Sequence, residues 1–136
     1  MPTQHAVSNQ STPTSSTLRW GWIIGGAFLL ELVLIVFAVP LLMLMELPKL
    51  APFVPILTFA VGFLISWWVM RKIPGRRVLH GTLIGVFATL IYVGLCMIQP
   101  NGISSVIAGY GPFLFVVANG MRIAGAAVGS CVYRPH

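Results

Sequence analysis

The stretch WGWIIGGAFLLELVLIVFAVPLLML, residues 20–44, carries a single charge, Glu31, in an otherwise apolar and small-residue run. A helix rises about 1.5 Å per residue, and about 20 apolar residues cross a hydrocarbon core of about 30 Å. Hydrocarbon offers backbone amides no partners, so a segment that crosses it satisfies them internally, as a helix. Residues 20–44 are therefore read as a membrane-spanning helix, and the rest of the chain is read outward from it.

Three further apolar segments follow, over about residues 52–70, 79–98 and 112–133. Pro112 suits a helix's first turn, where no amide donor is needed. The intervening stretch NGISSVIAGYG, residues 101–111, is rich in Gly, Ser and Asn and is not expected to be helical. The chain has 136 residues, 57% hydrophobic and 7% charged. A soluble domain devotes roughly a quarter of its residues to charge. The class is all-α integral membrane, with four transmembrane helices in one domain over residues 19–136. Residues 1–18, rich in Ser, Thr, Gln, Asn and Pro, read as a disordered polar tail. The tail lacks the basic start of a signal peptide, so the first helix is expected to be an uncleaved signal anchor.

Basic residues set the expected orientation. Arg19 precedes the first helix; Arg71, Lys72, Arg76 and Arg77 surround a Pro-Gly turn between the second and third; Arg134 follows the fourth. With both termini inside, these six face the cytoplasm and Lys49 faces out, as the positive-inside rule favours. All four tryptophans, Trp20, Trp22, Trp67 and Trp68, then fall at the cytoplasmic interface, where indoles anchor. The implied location is a bacterial inner membrane. A net charge of +6 placed this way meets anionic head groups, at about 1 kcal/mol per residue, rather than nucleic acid. A specific lipid or regulatory partner for the basic loop is the alternative.

A shift of sixty positions pairs Gly21 with Gly81, Ile24 with Ile84, Gly25 with Gly85, Leu30 with Leu90 and Val33 with Val93. It also pairs Pro40 with Pro100, Pro52 with Pro112 and Phe53 with Phe113. The glycines open the first and third helices, Pro40 and Pro100 are expected to close them, and the later prolines to open the second and fourth. The pattern implies two helical hairpins in tandem, related by an axis along the membrane normal.

Lipid tails supply no hydrophobic drive between helices, so small residues mark close packing. Gly21 and Gly25, Gly81 and Gly85 with Thr89, and Gly125 and Gly129 are such pairs. They suit packing within the bundle; a homo-oligomer face is the alternative. Along the fourth helix Gly111, Phe115, Ala118, Asn119, Arg122, Gly125, Ala126 and Gly129 share one stripe, so Arg122 is expected to point inward.

Arg122 and Glu31 are the charges deep within the helices. Each costs roughly 2.5–3.5 kcal/mol at a helix centre on insertion scales. Glu31 lies twelve residues from Arg19 and Arg122 twelve from Arg134, so both sit about 18 Å from the cytoplasmic interface. Equal depth and opposite sign predict that the first and fourth helices are neighbours and that Glu31 pairs with Arg122, with Asn119 donating a further hydrogen bond to the carboxylate. The pair is read as a structural clamp; a protonatable Glu31 in an ion or substrate path is the alternative.

His80, beside the basic loop, is either an interfacial residue or a pH sensor. Cys96 and Cys131 lie too far apart along their segments for a disulfide and read as small buried hydrophobes. There is no nucleophile with a base at readable spacing, no phosphate loop and no metal-ligand spacing. The sequence implies no enzyme activity, catalytic residue, metal or cofactor.

WWVMRKIPGRRVLHGTLIG, residues 67–85, resembles the central part of small bacterial four-helix membrane proteins of unknown function. Those share a helix ending in Arg or Lys, a short Gly-containing loop and an HG-x-x-x-G helix start, here His80, Gly81 and Gly85. That resemblance implies a class and no chemistry. GGAFLLE, residues 25–31, resembles the first helix of small multidrug resistance transporters, whose Glu serves protons and substrate. That resemblance implies a cation-binding role for Glu31. It stops at one helix: the family lacks an arginine like Arg122, and its aromatic substrate motif is not seen here.

Overall fold

The first helix, α1 (Trp20–Leu44), buries Ile23, Ala27, Leu30, Glu31 and Leu34 at spacings of three and four, while Phe28, Leu32, Val36 and Phe37 face outward. Apolar residues thus cover both the packed face and the outer one, as in a helix surrounded by protein on one side and lipid on the other. The chain, in a computed structural model, is described over residues 18–73 and 75–133. The tail expected over residues 1–18 lies outside that range except for Leu18, and so does the anchor Arg134.

After α1 come a single turn, α2 (Leu47–Leu50), a 3₁₀ turn (Ala51–Phe53) and α3 (Val54–Met70). The basic turn leads to α4 (Arg77–Ile98), then α5 (Gly102–Tyr110) and α6 (Pro112–Val132). Among the described residues all regular structure is helical, and four helices are long and apolar enough to cross a membrane.

Several sequence expectations need correcting. Residues 102–110 form a helix, because Ile103, Val106, Ile107 and Tyr110 fall at helical spacing on its half-buried face, while α5 packs on α4 and α6. Burial of that face overrides the weak propensity of Gly and Ser. Ser105 also spends its hydroxyl on the carbonyl of Gly102 at 2.9 Å. The second correction concerns Pro40, which lies inside α1 instead of closing it; Pro100 does follow the end of α4. Gly111 ends α5 at φ +78, a backbone state that favours glycine, and Pro112 starts α6.

The four long helices form a ring. α3 packs most closely on α6, α4 also lies along α6, and α1 packs on α4 and less extensively on α3. α1 and α6 therefore face each other across a diagonal. The expectation that they are packed neighbours is incorrect, for a reason visible at the glycines. Backbone carbonyls of Phe59 and Phe63 occupy the places where Cβ atoms on Gly125 and Gly129 would go. A Cβ on Gly62 would come 2.9 Å from the Arg122 carbonyl oxygen, and one on Gly85 2.7 Å from the Ile123 Cα. Gly81 fits only because it leaves room for Ser130. The small residues of α6 thus draw α3 and α4 onto it, leaving no adjacent place for α1.

A Cβ on Gly21 or Gly25, both expected on a packing face, would meet nothing within 4 Å; the neighbouring Gly26 is the one that packs, against Ile84 and Val69. In α1 the contact therefore runs through a register one residue away from the small-xxx-small pair.

This arrangement predicts that Gly125→Ala and Gly129→Ala each destabilise the bundle by about 1–3 kcal/mol, the usual cost of overpacking. Gly21→Ala and Gly25→Ala should be neutral or slightly stabilising. Reversible unfolding in detergent measures both sets, and equal losses at the two pairs would refute the assignment of faces.

Candidate functional site: a charge pair beneath a cavity

Glu31 reaches the ring's interior because it shares the buried face of α1 with Leu30 and Leu34. Arg122 reaches it from α6, one turn before Gly125 on the stripe that packs against α3 and α4. Arg122 Nε lies 3.2 Å from Glu31 Oε1, and the side chains are only 4% and 5% exposed. The N–H is not directed at that oxygen, and neither atom has a hydrogen-bond partner among the described residues. The attraction is therefore Coulombic, in surroundings that screen it little.

The guanidinium has two further supports. Its Nη1 donates to Asn119 Oδ1 at 2.9 Å, and its Cζ lies 4.6 Å from the centroid of the Tyr92 ring. Asn119 in turn donates to the Phe115 carbonyl at 2.8 Å. Asn119 thus acts on the arginine and not, as expected, on the carboxylate. A turn-to-turn contact along α6 is short, whereas Glu31 lies across the ring. Tyr92 carries no pattern in the sequence that would single it out.

Above the pair lies a half-open cavity of about 120 Å³. Its floor is Glu31, Arg122 and Asn119; its walls include Leu34, Leu57, Tyr92 and Phe115 and reach Leu50 and Tyr110 on the two short helices. It occupies the half of the ring away from the basic turn, where α1 and α6 stand apart. Thr58 also lines it, but its hydroxyl is taken by the carbonyls of Pro55 at 2.9 Å and Ala118 at 3.1 Å. Burial, and secondarily the Cys96 thiol, raises the pKa of Tyr110 above its ordinary value, so its hydroxyl stays a neutral donor.

At the opposite end the basic residues hold aromatic and backbone partners. Arg71 stacks 3.9 Å over the Trp67 ring, and Arg77 donates to the Tyr133 carbonyl at 3.2 Å. Arg19, Lys72 and Arg76 belong to the same end, and the first two of the aromatic anchors, Trp20 and Trp22, are exposed there. His80 is buried at this end: its Nδ1 lies 2.9 Å from the Arg76 carbonyl and its Nε2 accepts from the Arg19 amide at 3.3 Å. The carbonyl must accept, so Nδ1 carries the proton and the ring is neutral. His80 thereby ties the start of α1 to that of α4. Cys96 is buried and Cys131 exposed, both free. Among the described residues no group of three or more His, Cys, Asp or Glu could hold a metal ion.

No family model, curated protein or solved structure matches this chain.

The role of Tyr92 is open to direct measurement. Tyr92→Phe, which keeps the ring under the guanidinium, should leave stability within about 0.5 kcal/mol, whereas Tyr92→Leu should cost about 2 kcal/mol or more by removing a desolvated cation–π contact. Equal effects of the two substitutions on unfolding in detergent would show that the ring only fills space.

Proposed function

We propose that the protein is a non-enzymatic multi-pass protein of a bacterial inner membrane, with both termini cytoplasmic, whose Glu31–Arg122 pair clamps α1 to the other helices. The buried pair carries this reading. α1 shares only modest packing with α3 and α4, and its own small residues Gly21 and Gly25 contribute none of it. A carboxylate drawn to a guanidinium across the ring supplies the register that packing leaves weak. Membrane lipids are the partners of its outer surface, and anionic head groups those of its basic end.

The tandem-hairpin reading gains support from contacts at the repeat spacing. Thr58 bonds the carbonyl of Ala118, and Gly62 abuts that of Arg122; both pairs are sixty residues apart. Contact between residues at equivalent positions places α3 and α6 at equal depth in the membrane, as the repeat implies; a twofold axis along the normal would set α1 diagonal to α4, whereas these two pack together.

A second reading has one observation in its favour: the cavity reaches both charges. A small oligomeric proton-coupled transporter would use Glu31 as its ion or substrate site. The pairing with Arg122 counts against it, since a guanidinium 3.2 Å away already occupies the carboxylate that a cationic substrate would need.

Three experiments separate these readings. Glu31→Arg should lower the amount of protein inserted in membranes, and the double swap Glu31→Arg with Arg122→Glu should restore part of it; a double swap no better than the single change would contradict the clamp. In proteoliposomes with a pH gradient, substrate uptake abolished by Glu31→Gln would establish the transporter instead. For orientation, a membrane-impermeant maleimide should label Lys49→Cys in intact spheroplasts and Cys131 only after the membrane is opened. The reverse pattern would overturn the topology.

A further inference from the structure

We propose that the cavity above Glu31 and Arg122 is a binding site for a small uncharged amphiphile, a molecule the size of one aromatic ring bearing a hydroxyl or amide. Three features select that class. The first is size: about 120 Å³ lies near the roughly 150 Å³ of an apolar cavity that takes benzene. The second is charge. The floor holds one carboxylate and one guanidinium in contact, so it sums to zero. A cation entering near Glu31 meets Arg122 at almost the same distance, and an anion near Arg122 meets Glu31, with little solvent screening. A neutral ligand escapes both penalties.

The third feature is hydrogen bonding. Glu31 and Arg122 both line the cavity, and their facing atoms Oε1 and Nε, buried against each other, lack hydrogen-bond partners among the described residues. A buried acceptor or donor left unpaired is costly. A hydroxyl can donate to the carboxylate, and an amide can also accept from the guanidinium, so the ligand's polar group adds hydrogen bonds that the pair does not make with itself. The apolar body then rests on Leu57, Tyr92 and Phe115, where ring–ring contacts are available. Leu50 and Tyr110, the two side chains that the short helices contribute, complete the lining. The inference goes beyond the clamp and does not depend on orientation in the membrane, because it needs only the cavity and its floor.

The test uses the full chain in lipid nanodiscs and ¹⁹F NMR of three isosteric probes: 4-fluorobenzyl alcohol, 4-fluorobenzylammonium and 4-fluorobenzoate. Empty nanodiscs report partition into lipid. The alcohol should bind saturably above that background, and the charged probes about tenfold or more weaker. Ala38 lines the cavity two turns from Glu31 on the same helix face, so Ala38→Phe fills the space without altering the pair. That substitution should weaken the alcohol by about tenfold or more, and Ala38→Leu, a milder filling, by less. Three results would overturn the site: no saturable signal, alcohol binding unchanged in both filled variants, or benzylammonium binding as tightly as the alcohol. The last would point to Glu31 acting alone as a cation site.

Discussion

A carboxylate and a guanidinium drawn together across a ring of apolar helices constrain everything else in this protein. Neither charge is tolerable in a hydrocarbon interior by itself, at roughly 2.5–3.5 kcal/mol each on insertion scales. They are tolerable together only if both point inward and reach the same depth. That requirement fixes the rotation of α1 and of α6 about their axes and the vertical offset between them. Buried ion pairs of this kind add little net stability and are best understood as setting register. The pair is reinforced mainly on the arginine side, by Asn119 Oδ1 at 2.9 Å and the Tyr92 ring at 4.6 Å, so the guanidinium is the positioned partner and Glu31 comes to it.

The glycines explain why the pair must span a diagonal. With Gly125 and Gly129 against the α3 backbone, and Gly81 and Gly85 of α4 against α6, three helices form a tight unit in which carbonyls touch the Cα positions of their neighbours. α1 adds to that unit through Gly26 and a conventional row of Ile23, Ala27, Leu30 and Leu34. Close packing at one end and a diagonal gap at the other leave a cavity whose floor is the charge pair. The cavity and the clamp are thus two results of one geometry.

The parts legible in the sequence were those that hydrocarbon makes expensive. Continuous apolar runs mark the four long helices, and the scarcity of deep charge leaves Glu31 and Arg122 as each other's natural partners. Depth along a helix could be counted; position around the ring could not. Helices that are apolar on every side carry no amphipathic signal of which face packs, so the sequence reveals neither the neighbours of α1 nor that Gly26 packs in place of Gly21 and Gly25. Gly62 is not marked by a second glycine, although Thr58 and Ser66 stand four residues to either side of it. Tyr92 is not legible in the sequence because a tyrosine in a long apolar helix looks like any other. The helix at 102–110 was hidden by composition, since its half-buried face rests on only four residues.

The central claim, that Glu31 and Arg122 act as one unit, is tested most directly by a double-mutant cycle on unfolding in detergent. Glu31→Leu and Arg122→Met each leave a charge buried without its partner, and each alone should cost about 3–5 kcal/mol. The double variant removes both charges and should lie far closer to the wild type, giving a coupling of at least about 2 kcal/mol. Losses that simply add, with no coupling beyond about 0.5 kcal/mol, would contradict the account.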